Sequence, residues 1–583
     1  MKPGAILCLW MFSSMPSRAQ VEPILAIDSS NIQSIRNEIS DAVYGNETIP
    51  EFHLITDKDS SASVLESMYP PDNMSSMEVG IVNLKHGFTS RIYIMHPVND
   101  NGLNIPIIYH SGHGLGVFRE DALYNLASDP PTGILTMSFF LSKGFTVVGI
   151  DMPFFGENTW PSEVIEKDYP HPMYGHDDLF GLENPFYYFM APIKSAIDYL
   201  QVSRGWNEFA MYGLSGGGWS TTLYSALDPR IRLSFPVAGS IPMPLRTEER
   251  DLGDMEQYFA PFYDRFNYST LYFLGAAGKK REQYQILIEK DNCCFAFNGH
   301  LLWEDDVKEA LRNSGLPGSF EFFFDTLSVT HHVSTISIDS IHSHIITGMV
   351  EEKMKELFSL TSSRASNTIC DNDTIQLHVP QIGMNQVEWY RDGQKIDTAV
   401  SYSIQVGQAG SYNAIVQNIS GGVVATPAIE VKKQDIFHQP VISRSGDKLY
   451  SSYSSGNNWY LNGQRIMSSD SGSLVLSKPG RYTVRVSAST CTSDFSEPYD
   501  FGVRVFPNPS SFSVTVRLPR DLQMVSYSFR TMQGSEVLRG EFVGETVIRY
   551  GNSVKPGVYL LILKNRSGFS SVQKIVVGNQ WGM

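Results

Sequence analysis

The twenty residues from Glu208 to Leu227, EFAMYGLSGGGWSTTLYSAL, leave the surrounding chain few ways to fold. An apolar run ends in Gly213-Leu214-Ser215-Gly216-Gly217 and passes directly into a helix-forming segment. A strand that turns into a helix this abruptly strains the backbone at its apex. It also brings the residues two before and two after the apex so close that side chains there would collide. Gly213 and Gly217 supply the room, and Ser215 at the apex is the candidate nucleophile. The competing reading is a glycine-rich turn that binds phosphate or nothing, and the flanking chain has to decide between them.

On both sides, apolar runs alternate with helical patterns. Ile105–Tyr109 is followed by His110-Ser111-Gly112-His113-Gly114-Leu115-Gly116, a glycine-rich loop placed where a backbone donor to an oxyanion is needed. Phe145–Ile150 ends in Asp151-Met152-Pro153, and Pro185–Gln201 reads as a helix. Beyond the serine come strands at Ile231–Ala238, Tyr284–Ile288 and Phe320–Phe324, with a helix at Leu302–Ser314. Strands that are continuously apolar and alternate with helices predict an α/β domain with a mostly parallel sheet covered on both faces. An aromatic insertion, Pro242 to Gly278, is expected to form a cleft wall or to pack internally. Glu289 and Asp291 follow the penultimate strand, and His331 and His332 follow the last. The chain order is therefore serine, acid, histidine.

Residues 80 to 360 resemble an α/β-hydrolase. The phrases IDMPFFGEN, YGLSGGG and KDNCCF resemble those of secreted bacterial hydrolases related to acetyl xylan esterases and other carbohydrate esterases. The resemblance implies Ser215 as nucleophile, Asp291 as acid and a histidine after the last strand as base. Glu289 is the rival acid, since a strand end can be misplaced by two residues. His331 is preferred over His332 because His331 precedes Val333-Ser334 in the manner of the family's histidine loop. His342 and His344 lie deeper in the next segment and are expected on a helix face or the surface. The amides of Gly216 and Leu115 are the expected oxyanion donors. The implied activity is carboxylic-ester hydrolysis on acylated carbohydrate, with a small molecule or polysaccharide ester as substrate. The alternatives are a serine peptidase of the same fold, disfavoured because no propeller repeat precedes the block, and a non-catalytic surface adhesin built on the scaffold.

A net charge of −16 without any basic cluster argues against nucleic acid as a partner. Lys2, the apolar Ala5–Phe12 and Ser17-Arg18-Ala19 predict an export signal over 1–19, too short to span a bilayer. Of the cysteines, Cys8 leaves with the signal, Cys293 and Cys294 are adjacent, and Cys370 and Cys491 stand alone. No disulfide framework or zinc spacing emerges, so no metal and no cofactor is expected, and Cys293 and Cys294 are expected as two buried thiols.

Beyond the domain spanning 20–365 the composition changes. WYRDGQKI at Trp389–Ile396 returns as WYLNGQRI at Trp459–Ile466, and Gly410-Ser411-Tyr412 returns as Gly480-Arg481-Tyr482, both after 70 residues. This predicts tandem Ig-like β-sandwiches over 366–433 and 434–502, each with a tryptophan between its sheets, acting as spacers. Sugar binding is the alternative use, and it would need a row of exposed aromatics. Each module has one cysteine at a different place, which excludes a bridge within a module. The last block, 503–583, opens with VFPNPS at Val505–Ser510, turns at Met532-Gln533-Gly534 and ends in PGVYLL and KIVV. It resembles the C-terminal sorting domain of the type IX secretion system of Bacteroidetes. That resemblance implies the type IX machinery as a partner and a secreted or surface-attached protein.

Overall fold

The computed structural model describes residues 21–55, 71–114, 116–118, 132–158, 175–296, 300–371, 373–397, 401–434, 438–466, 471–488, 491–519, 522–566 and 568–578. The expected export signal and Leu115 lie outside the described residues.

The first domain is built on a nine-stranded sheet. Its strands are β1 (Phe52–Leu54), β2 (Met74–Asn83), β3 (Thr89–Pro97), β4 (Ile107–His110), β5 (Val147–Ile150), β6 (Phe209–Leu214), β7 (Ile231–Val237), β8 (Glu282–Ile288) and β9 (Ser319–Asp325). They lie in the order β1-β2-β3-β5-β4-β6-β7-β8-β9. The first three strands and the β3–β5 junction are antiparallel, and every pairing from β5 to β9 is parallel. This is the α/β-hydrolase sheet expected from the chain order. Strands β4, β5 and β7 are buried at every residue, because helices cover both faces and leave no solvated side. Alternate side chains divide between two cores: Ile108, Val148 and Met211 enter one, while Ile107, Val147 and Tyr212 enter the other.

The helix Gly216–Leu227 behind the serine is buried along almost its whole length. Its last carbonyls have no partner within the helix. Arg36 Nε donates to Ala226 O at 3.2 Å and Arg281 Nη2 to Ser225 O at 2.5 Å. Two buried guanidinium groups thus meet the negative end of the helix dipole and hold its far end in place.

Beyond the sheet, the 70-residue repeat is reproduced in three dimensions. Trp389 sits opposite Ala414 and Trp459 opposite Val484, and both tryptophans are fully buried. Their indole nitrogens donate to Ser401 O at 2.8 Å and Ser471 O at 3.2 Å. Tyr412 and Tyr482 each donate a hydroxyl proton to the carbonyl four residues upstream, Gln408 O at 2.9 Å and Lys478 O at 2.6 Å, the local tie seen at the corner of Ig-type sandwiches. Among the described residues the strongly exposed aromatics of the two modules are Tyr450, on the strand Lys448–Ser451, and Phe495, after the strand Cys491–Thr492.

Three expectations for this region change. The first sandwich starts before residue 366, since Thr361–Ser362 already pairs with Ile375–His378. Cys370 and Cys491 do not stand alone but form a disulfide. The sequence excluded a bridge within a module, and the observed one runs between modules, from the first sandwich to the strand Cys491–Thr492 of the second. The first module is also not a spacer. Its Trp389, Val416 and Val424 belong to the same buried cluster as Phe140, Ile341 and Met354 of the hydrolase domain. Polar ties reinforce this seam: Asn418 Nδ2 donates to Asn101 O at 3.0 Å and His342 Nε2 to Ser420 O at 2.7 Å. Gly422 lies so close to Val350 and Met354 that a side chain there would overlap both.

The second module has its own small core around Leu449, Trp459, Tyr482 and Val484. The final block is a separate sandwich with an independent core that includes Val514, Phe529, Leu561 and Ile575. Its hairpin turns at Thr531–Ser535 and its last two strands are Gly557–Lys564 and Ser570–Val577, as the sequence predicts.

Candidate active site

Strand β6 runs into Ser215, whose backbone sits at φ 58° and ψ −124°. A non-glycine residue held there costs on the order of 1–3 kcal/mol and persists only where its surroundings enforce it. The enforcement is visible. Ser215 N–H donates to Val237 O at 2.9 Å, and Ser215 O accepts the first helical bond from Trp219 N at 2.9 Å. A Cβ on Gly213 would overlap the Gly217 carbonyl, and one on Gly217 would overlap the His110 carbonyl oxygen. Gly216 is constrained in the same way, since a Cβ would lie 2.5 Å from both His113 Cε1 and Met152 Sδ. As the first residue of the helix, Gly216 has an amide with no intrahelical acceptor.

At the ends of β8 and β9 the structure brings Asp291 and His331 together, with His331 Nδ1 2.8 Å from Asp291 Oδ2. Both side chains are nearly solvent-free. Asp291 also accepts Cys293 N–H at 2.8 Å, and Asn292 Oδ1 accepts His331 N–H at 3.1 Å, so the two loops are stitched to each other. Glu289, the rival acid, is partly exposed, and its amide bonds to Asp325 O at 2.9 Å. The neighbouring His332 turns back on its own loop, with Nδ1 2.8 Å from Thr330 Oγ1 and 3.0 Å from Thr330 O. His342 bonds to the first β-module and His344 Nδ1 lies 2.5 Å from Glu282 Oε1. Neither joins Asp291. Burial disfavours the charged form of His331, but the hydrogen bond and charge of Asp291 outweigh it and raise the imidazole pKa above its ordinary value.

Three groups that the sequence did not single out complete the surroundings. Asp151, at the end of β5, accepts Ser111 Oγ–H at 2.8 Å and Val117 N–H at 2.6 Å, and so shapes the loop that runs over the serine. Burial pushes its carboxyl up to about 7, against those hydrogen bonds. The loop packs directly on the elbow, since a Cβ on Gly112 would come within 2.5 Å of Leu214 O. Asp325 fixes the histidine loop, accepting Leu327 N–H at 3.0 Å, Ser328 N–H at 2.9 Å and Ser334 Oγ–H at 2.5 Å. His113 lies against Gly216, and its charge also bears on His331, opposing the rise that Asp291 causes.

The aromatic insertion divides its roles. Tyr263, Tyr268 and Tyr272 pack inside, and Trp219 Nε1 donates to Tyr263 Oη at 2.6 Å. Its Asp254 and Glu256, however, reach His113. Cys293 and Cys294 are not bridged to each other and are half-buried rather than buried, with their sulfurs 3.0 Å apart and Cys294 Sγ 3.9 Å from His331 Nε2.

Residues 504–578 match the family of secretion system C-terminal sorting domains. The chain therefore carries the type IX export signal and is destined for the cell surface or the medium. A 76-residue stretch is 36% identical to an endo-acting ulvan lyase of Formosa agariphila, covering 13% of this chain and 14% of that protein. The chain thus spans about one seventh of the length of the curated relative it matches. Among solved structures, the acetyl xylan esterase of Paenibacillus sp. R4 is 15% identical, covering 56% of this chain and 96% of that one with a TM-score of 0.34. Acetyl xylan esterase 1 of Thermoanaerobacterium is 11% identical, covering 55% and 95% with a TM-score of 0.35. The glucuronoyl esterase of Solibacter usitatus is also 11% identical, covering 56% and 97% with a TM-score of 0.35. Among the described residues no helix is long and apolar enough to cross a membrane.

Proposed function

We propose that the mature chain is an exported serine esterase acting on acylated carbohydrate, with Ser215, His331 and Asp291 as its catalytic triad. The supporting observation is a strained serine between a strand and a helix, beyond the carboxyl end of the same parallel strands that lead to a buried imidazole paired with a buried carboxylate. A serine hydroxyl is a poor nucleophile at neutral pH. His331 Nε2 takes its proton as Oγ attacks the ester carbonyl, while Asp291 holds the Nδ1–H tautomer and stabilises the imidazolium. The tetrahedral oxyanion forms beside the Gly216 amide, with Leu115 as the second expected donor. Collapse expels the alcohol, which takes the proton back from His331. Water then repeats the sequence on the acyl-enzyme. Assaying the purified mature chain against short p-nitrophenyl esters and acetylated polysaccharides tests the reading. Release of p-nitrophenol and acetate supports it, and absence of turnover on every ester and polysaccharide overturns it.

The raised His331 pKa sets a pH dependence. The base works neutral, so activity falls as pH drops through its folded-state value, which lies above the ordinary histidine value of about 6.5. The acid limb of kcat/KM reports this group in the free enzyme. It should lie on the alkaline side of free imidazole in the native chain and move to lower pH in Asp291→Asn, with a rate loss of about 10⁴ from the wrong tautomer. An acid limb that Asp291→Asn leaves in place would assign it to a different group.

The sorting domain has its own core, so deleting 503–583 should leave an active hydrolase. The export signal expected at the N-terminus delivers the chain only to the periplasm, so the deleted protein should stay there. Cell fractionation with an esterase assay checks this. Truncated enzyme outside the cell at the full-length level would show that the last block is dispensable for export.

A further inference from the structure

We propose that His113, His176, Asp254 and Glu256 form a binding site for one divalent transition-metal ion of the zinc class, beside the serine elbow. The four residues come from three separate segments: the loop after β4, the turn His176–Gly181 and the aromatic insertion. Their ligand atoms lie within 4.8 Å of one another. His113 Nε2 is 2.9 Å from Glu256 Oε1 and 3.0 Å from Asp254 Oδ2, and His176 Nε2 is 3.2 Å from Glu256 Oε2. Asp177 Oδ1 stands 3.3 Å from His176 Nε2 as a further oxygen. Ligands about 2.0–2.2 Å from a tetrahedral zinc ion stand roughly 3.3–3.6 Å from each other, and separations that start at 2.9 Å and stay within 4.8 Å bracket that distance, so small side-chain shifts would seat the ion.

Two further observations point to a ligand. Glu256 is fully buried, and its Oε1 has no hydrogen-bond partner among the described residues. His113 Nε2, although 2.9 Å from it, has none either. The two atoms attract each other as a charge pair, but their alignment falls outside a hydrogen bond and leaves both buried atoms short of one. An ion accepted by both would satisfy them. The imidazole rings of His113 and His176 are stacked, with centroids 4.9 Å apart, and both turn Nε2 toward the same carboxylate. Two imidazoles with carboxylate oxygens form a donor set suited to zinc or manganese. The sequence does not reveal it because metal motifs are recognised by ligands spaced along one element, and these ligands are scattered over three. A second cluster, Cys293, Cys294 and His331, is a weaker candidate, because it offers three ligands against four and the proposed mechanism needs His331 Nε2 for the serine proton.

The test is metal content, which is read without any turnover and so stands or falls separately from the esterase assignment. Mature protein stripped with a chelator is dialysed against Zn²⁺ and the bound metal is measured. We expect one equivalent per chain and a rise in Tm on adding Zn²⁺. Glu256→Gln and Asp254→Asn should each weaken binding at least tenfold, while the double variant Cys293→Ser/Cys294→Ser should bind as the native chain does. Asp254 is 45% exposed in its side chain, so its variant is expected to fold even if the buried Glu256→Gln is not. Co²⁺ in place of Zn²⁺ should give visible d–d bands without a thiolate charge-transfer band. No binding at micromolar Zn²⁺, unchanged affinity in Asp254→Asn, or binding that is lost with the cysteines would each overturn the site.

Discussion

Replacing Ser215 with alanine should reduce ester hydrolysis by roughly 10³- to 10⁶-fold while leaving the fold intact, as loss of a nucleophile does in hydrolases of this kind. His331→Ala should fall in the same range. His332→Ala should stay within a few-fold of the native rate, because its imidazole is engaged with Thr330 and not with Asp291. The two effects on Ser215 can be separated. Ser215→Gly removes the hydroxyl but also relieves a side chain held at φ 58°, so it should be as inactive as the alanine variant yet melt at a higher temperature. Steady-state kinetics with thermal melts on the four variants would check this. Near-native turnover in Ser215→Ala would move the nucleophile elsewhere, and equal mild losses in the two histidine variants would remove His331 as the base.

The second large effect concerns where the catalytic unit ends. A chain stopped at residue 365, the boundary expected from composition, should aggregate or expose apolar surface. One stopped after Lys433, with Cys370→Ser to avoid an orphan thiol, should be soluble and fully active. The reason is the shared core: Val350 and Met354 are fully buried and lie against Gly422 of the first sandwich. Each large apolar side chain uncovered costs about 1.5–3 kcal/mol, and a domain's whole stability is roughly 5–15 kcal/mol. Losing several such contacts removes most of that margin. Dye binding, size exclusion and thermal melts decide the matter. A 365-residue fragment that is monomeric and melts within about 3 °C of the longer one would show that the seam contributes little.

These two cases mark what the sequence makes legible. The elbow can be read because its steric demand falls on residues adjacent in the chain, where Gly213, Ser215 and Gly217 appear at fixed spacing. The sheet follows from apolar runs whose two-sided burial leaves no polar alternation, and the candidate positions for an acid and a base follow from where β8 and β9 end. Within that frame the preference for Asp291 and His331 comes from the resemblance, and residue types alone do not say that the two loops turn so as to pair these side chains. The docking of the first module is invisible because alternation along Met384–Arg391 or Gly410–Asn418 marks only the face that points into the sandwich, whereas the seam is made by Gly383 and the turn from Asn418 to Gly422 at one end of it. Asp151 and Asp325 escape notice for a related reason. Each holds a loop through amides and hydroxyls that almost any sequence could supply, so only the folded positions reveal them.

The Cys370–Cys491 bridge closes a ring of chain with a sequence separation of 121, running through most of both sandwiches. Outside the cell such a ring changes what a protease can accomplish. A single nick anywhere between the two cysteines opens the ring but releases nothing, because the catalytic block and everything beyond Cys491 remain on one covalent thread. Shedding the second sandwich would need two cuts, or one cut and a reductant. A nicked sample should therefore run as one species on a non-reducing gel and split into two once the thiols are reduced.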